Sequence, residues 1–103
     1  MNSEPNDLQL RRDVLLAFQV ALLGMVGNCL RGVTVGWSDT RISGCMLFDG
    51  HVGADEQDCA ADVEAEITAN FPLHEVEVIA ERCDVPEPLN ARNRMAWVYR
   101  RKE

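Results

Sequence analysis

Two histidines, four cysteines and seventeen acidic residues are the reactive side chains of this 103-residue sequence. A nucleophilic enzyme needs a base beside a serine or cysteine, and the candidates are His51, in a glycine-flanked turn, and His74, at the start of a strand. Neither has a motif around it. Acid–base catalysis needs two carboxylates in unlike surroundings, so that one keeps its proton, whereas here the acids crowd one exposed helix. Cys29, Cys45, Cys59 and Cys83 are widely spaced and lack the CxxC or CxH pairing of a zinc site. Asp49, Asp55 and Asp58 miss the alternating spacing and closing glutamate of a calcium loop. Gly24, Gly27, Gly32 and Gly36 form neither a G-x-G-x-x-G nor a Walker loop. These residues point to a binding protein rather than an enzyme, and no cofactor or metal is indicated.

The most informative stretch is residues 49–71, DGHVGADEQDCAADVEAEITANF, a turn leading into an amphipathic helix. At 100° per residue, Ala60, Val63, Ile67 and Phe71 fall within about 80° of one another, which makes them a core-facing stripe. Asp55 is the expected N-cap, Glu56 and Asp58 suit the positive end of the helix dipole, and Asn70 with Pro72 ends the helix. Asp55, Asp58, Asp62 and Glu66 lie opposite the stripe. The steps Asp58 to Asp62 and Asp62 to Glu66 are like-charge pairs, each costing an isolated helix about 0.2–0.5 kcal/mol. From Ile42 to Glu81 there are ten acids and no Lys or Arg: Asp49, Asp55, Glu56, Asp58, Asp62, Glu64, Glu66, Glu75, Glu77 and Glu81. Such a face is either a solvated surface or a docking surface for a basic partner, because a field of one sign speeds association and rejects wrong partners. The candidate partner-binding residues are Asp49, Asp55, Asp58, Asp62 and Glu66.

A formal charge of −7 and a pI near 4.7 argue against nucleic acid or an anionic membrane as the partner and favour a cationic protein surface. With 47% hydrophobic and 26% charged residues, the chain reads as a single globular domain over 1–103, with residues 1–6 a frayed N-terminus. Four cysteines in apolar or small-residue surroundings read as buried free thiols, which implies a reducing compartment and a cytoplasmic protein.

Residues 8–26 predict a first helix, with Asp7 as cap and a core face of Val14, Leu15, Phe18, Ala21, Leu22 and Met25. Leu16, Val20 and Leu23 form a second apolar line on its far side. We expect a loop or the other sheet edge to cover this line, a homodimer face being the alternative. Arg11 and Arg12 before an apolar run resemble an export signal, but Gln19 interrupts the run and no A-x-A site follows. The run is also short of the roughly 20 apolar residues that span a bilayer.

Residues 31–37 and 41–48 predict a hairpin, in which Gly32, Gly36 and Gly44 mark a bulge or the close approach of a packed helix. Residues 74–83 alternate as a third strand, a loop carries Pro86 and Pro88, and residues 95–101 form a last strand ending in a basic cluster. The order α-β-β-α-β-β predicts an α+β fold, with one four-stranded, largely antiparallel sheet and both helices on one face. In that arrangement Arg100 with Lys102 or Arg101 would offset Glu75 and Glu77 across the sheet.

Two stretches, FDGHVGADEQDCAADVEAEITANFP and DVPEPLNARNRMAWVYRRKE, together resemble small bacterial immunity proteins, the cytosolic antidotes made beside contact-dependent inhibition toxins and nuclease bacteriocins. The resemblance implies a protein that neutralises a basic, nuclease-type toxin domain by direct binding. The chain departs from the four-helix bundles of nuclease-colicin immunity proteins, so no binding residue is carried over from them. The rival reading is a housekeeping interaction domain or adaptor, homodimeric through Leu16, Val20 and Leu23.

Overall fold

The computed structural model describes residues 4–92 and 94–103, with side chains from residue 8 onward. Helix α1 spans Glu4–Ala21, strands β1 and β2 span Leu30–Trp37 and Arg41–Phe48, helix α2 spans Ala54–Asn70, and strands β3 and β4 span Glu75–Arg82 and Ala96–Arg100. The α+β class and the element order follow the periodicity of the sequence. Residues 4–6, expected to fray, are helical, and residues 1–3 lie outside the described residues. Asp7 therefore sits inside α1 instead of capping it.

Helix α1 also stops short of Val26. Leu23 and Met25 donate their N–H groups to Val20 O and Leu22 O, bonds of the tighter three-residue step, and Gly24 takes a φ of +80°. The apolar spacing continues through this turn, which is why it reads as helix. The predicted core face is otherwise observed: Val14, Phe18, Ala21 and Leu22 are buried, with Leu15 and Met25 partly buried.

The strand order is β3-β2-β1-β4. β1 pairs antiparallel with β2 and with β4, but β2 and β3 run parallel in the register Arg41↔Glu75 to Phe48↔Arg82. The sheet is thus mixed, not largely antiparallel, and β3 and β4 do not form a second hairpin. Lengths explain the parallel pair. Seventeen helical residues span about 25 Å and eight strand residues about 26 Å, so α2 returns the chain to the level at which β2 began. Residues 83–95 then carry the chain to the opposite edge. Glu75 and Glu77 are therefore three strands away from Arg100, and the expected charge offset across the sheet is absent. Glu75 instead meets Arg41 at 3.7 Å.

Two apolar clusters hold the sheet. The larger takes Val14 and Phe18 from α1, Ala60, Val63 and Ile67 from α2, and Val33, Val35, Ile42, Met46 and Val78 from the strands. Gly44 admits α1 to it, because a Cβ there would lie 2.9 Å from Phe18 Cε1. The smaller cluster joins Cys45, Leu47 and Cys83 to Ile79, Leu89 and Trp97. Strand alternation puts Cys45 and Leu47 on the opposite side from Met46. Here Gly32 makes room for Trp97, whose ring would meet a Cβ at 2.6 Å.

Beside the smaller cluster, Arg31 is a bulge residue between Leu30 and Gly32, with its side chain 3% exposed. Its Nη1 donates to Cys83 O at 2.6 Å, while Nε and Nη2 form a fork to the Glu103 carboxylate at 2.7 and 2.8 Å. These hydrogen bonds hold the Glu103 carboxyl down at about 2 and push the Arg31 guanidinium above its ordinary range. Arg92 pairs with Glu81 through a single contact, Nε to Oε2.

Candidate partner-binding site

Gly53, not Asp55, is the N-cap of α2, and its N–H donates to Glu56 Oε1 at 2.8 Å. Asp55 falls two residues later, in the first turn, where its charge meets the free N–H groups of the helix. The helix ends at Asn70, and the Phe71 N–H returns to Ile67 O and Thr68 O. Ala60, Val63 and Ile67 are 2%, 1% and 0% exposed. Phe71, the last residue of the predicted stripe, is half-buried beside His74, with ring centroids 5.6 Å apart. Fixing this stripe in the core turns Asp55, Asp58, Asp62 and Glu66 outward, and all four are exposed.

The tertiary structure sorts the ten acids into two groups. Glu56 caps α2, Glu64 Oε1 accepts the Val78 N–H at 2.8 Å, Glu81 pairs with Arg92, and Glu75 meets Arg41. Asp49, in the turn after β2, accepts the Val85 N–H at 3.1 Å and ties that turn to the start of the 83–95 connection. Asp55, Asp58, Asp62 and Glu66 have no hydrogen-bond or ion-pair partner among the described residues, and neither has Glu77. Glu77, expected from the sequence to be offset by the basic last strand, was not among the candidate partner-binding residues. It joins Glu64, Glu75, Val76 and Arg41 around a shallow cavity of about 490 Å³ beside α2. The signal available was its alternation with Val76 and Val78, which places it off the core face.

The field of this helix acts on its one thiol. Burial raises the Cys59 thiol above its ordinary value, and the carboxylates of Asp62, Glu56, Asp55 and Asp58 push it the same way. Cys45 is pushed up to about 11, by burial and then by Glu81. All four cysteines are free, as expected, but Cys29 is exposed and Cys59 partly so, which corrects the reading of four buried thiols.

The second apolar line is uncovered, contrary to the expectation of a loop or sheet edge over it. Leu16, Val20 and Leu23 are 56%, 48% and 76% exposed. Leu23 lies past the end of α1, so the three do not share one helix face. Leu16 and Val20 border a groove of about 350 Å³ between α1 and the end of α2, lined also by Asp13, Ala17, Asn70 and Phe71. No helix of the described residues is long and apolar enough to cross a membrane.

What this geometry can do is bind. An exposed row of unpaired carboxylates on a rigid helix presents a preformed charge pattern to a cationic surface. No curated protein matches the chain. The family model of the MafI2 immunity protein matches residues 11–103, which is all but the first ten residues. On that match the chain belongs to the MafI2 immunity protein family.

Proposed function

We propose that this immunity protein neutralises a cognate toxin by binding it directly, that the toxin domain is basic and of nuclease type, and that Asp55, Asp58, Asp62 and Glu66 of α2 make the contact, with Asp49 at the turn before the helix. The observation that carries this reading is the unpaired state of those four helix acids where the other acids among the described residues are largely engaged. Their like-charge spacing costs helix stability, and a cationic partner would offset that cost. A nuclease domain, which must itself attract a polyanion, is the natural source of such a surface. The reading takes both helices to back the same face of the sheet, which their shared cluster supports, and so leaves the outer face of α2 open to a partner. It places the protein in the cytoplasm, in keeping with four free thiols. It assigns no catalytic role.

The test compares the parent with a variant carrying Asp55→Asn, Asp58→Asn, Asp62→Asn and Glu66→Gln, binding the cognate toxin domain at low and high salt. The variant should keep its fold and lose about tenfold or more in association rate at low salt, the difference shrinking as salt screens the charges. Equal binding by variant and parent at both salts would show that the acidic row is solvated surface only.

A second reading, self-association through Leu16, Val20 and Leu23, rests on their exposure. Sedimentation of the parent and of Leu16→Glu separates the two, since a charge on that line would dissolve a dimer and leave the acidic row intact.

A further inference from the structure

We infer that the free edge of β4 takes up an extended segment of the cognate toxin as a fifth strand. This inference rests on the immunity reading above and adds a second contact to it. The two edges of the sheet are unlike. At the β3 edge, Glu64 of α2 occupies the outward Val78 N–H at 2.8 Å, and Glu75 and Glu77 charge the strand. Such devices close an edge to further pairing.

At the other edge, β4 is bonded inward at both ends: Met95 N–H to Val35 O at 2.9 Å and Arg101 N–H to Arg31 O at 2.8 Å. Gly32 and Thr34 turn their main-chain groups toward β2, so the β4 residues opposite them, Arg100 and Trp97, turn theirs to the free side. No side chain among the described residues claims those groups. Strand addition meets this need, with main-chain hydrogen bonds for affinity and adjacent pockets for specificity.

A pocket of suitable size lies alongside. Gln19, Leu22, Leu23, Val26, Val98 and Tyr99 line a groove of about 190 Å³ next to β4, room for one large side chain, and Leu23 and Val26 border it at 76% and 45% exposure. A strand added about 4.8 Å from β4 would set one residue in two toward this groove. The register shift opposite Val33 and Thr34 restricts the match to a short segment, which guards the edge against indiscriminate pairing.

Charge selects a foreign segment over a second copy. Antiparallel self-pairing centred on Val98 would oppose Arg94 to Lys102 at both ends of the pair, and like charges placed opposite one another destabilise a sheet. Arg100, stacked over the Trp97 ring at 5.0 Å, instead suits a carboxylate on the incoming strand. The occupant is therefore an extended toxin segment with an apolar residue for the groove and an acidic residue beside Arg100. Together with the acidic row on α2, the protein would read both signs of charge on one partner, which sharpens discrimination.

Amide hydrogen exchange, followed residue by residue on the protein alone and with the purified cognate toxin domain, tests the inference. Exchange at Trp97 and Arg100 should slow by about tenfold or more in the complex, the worth of roughly one net main-chain hydrogen bond. Arg100→Pro, which deletes an outward N–H, should weaken binding more than Arg100→Ala, which keeps it. If the complex forms and both amides exchange as in the free protein, the strand-addition inference falls while the immunity reading stands. If the amides are already slowed in the free protein in proportion to its concentration, the occupant is a second copy and the inference is overturned. If no complex forms, both readings fall.

Discussion

Val33, Val35, Ile42 and Met46 lie on one side of the central strands, in one buried cluster with Val14 and Phe18 of α1 and Ala60, Val63 and Ile67 of α2. On the other side, Cys45 and Leu47 meet Cys83, Ile79, Leu89 and Trp97, and the layer is finished by Arg31 with Glu103 and Arg92 with Glu81. The first layer is held by apolar burial, which involves no titrating group. The second is thin, and charged groups bind its connecting chain to the sheet. One sheet is thus stabilised by forces that answer to different conditions, and substitutions on its two sides should differ in kind as well as in size.

The largest effect belongs to the helix-fed layer. Ile67→Ala removes a fully buried side chain from it and should cost about 2–5 kcal/mol in denaturant unfolding. Phe71→Ala should cost less, because that ring is only half-buried. An Ile67→Ala protein as stable as the parent would break the comparison at its stronger side. Gly44→Ala should follow at about 1–3 kcal/mol, since the new methyl must displace the Phe18 ring. Restoration of stability by Phe18→Leu in the same protein would show that this contact is the cause.

The thin layer should declare itself through pH. Glu103, held at about 2 against an ordinary 4.5, favours the folded state by an amount fully present above about pH 4.5 and lost as pH falls toward 2. The parent should therefore lose stability through that window while Glu103→Gln lacks this part of the loss, so the two unfolding curves should converge at low pH. Parallel curves from pH 7 to 2 would mean that the Arg31 fork contributes nothing to folding. The smallest effect is expected outside both layers. Asp62→Asn relieves two like-charge steps on α2 and should stabilise the protein by about 0.2–0.5 kcal/mol per step, less as salt is added.

Much of this was legible in the sequence. The buried stripe of α2, the core face of α1 and the hairpin of β1 and β2 are matters of local period, and a period of 3.6 or 2 survives whatever the rest of the chain does. The end of α1 was not legible, because Leu22 and Met25 remain at helical spacing inside a non-helical turn. The acidic row was visible as a run of residues. Its division into engaged and unpaired acids was not, since Glu64 and Glu81 look no different in sequence from Asp62 and Glu66.

By itself, then, the sequence determined the class of each element, which residues each would bury, and the sign of its outer surface, because all three depend on neighbours a few positions apart. Only the tertiary structure decided that β3 runs parallel to β2, that β4 crosses to the far edge, and that Arg31 meets Glu103 over 72 positions of chain. Main-chain groups and buried charges accept any partner of the right chemistry that packing brings within reach. Which partner that is depends on how α2 and residues 83–95 span the sheet, a property of their lengths and of the space they must fill.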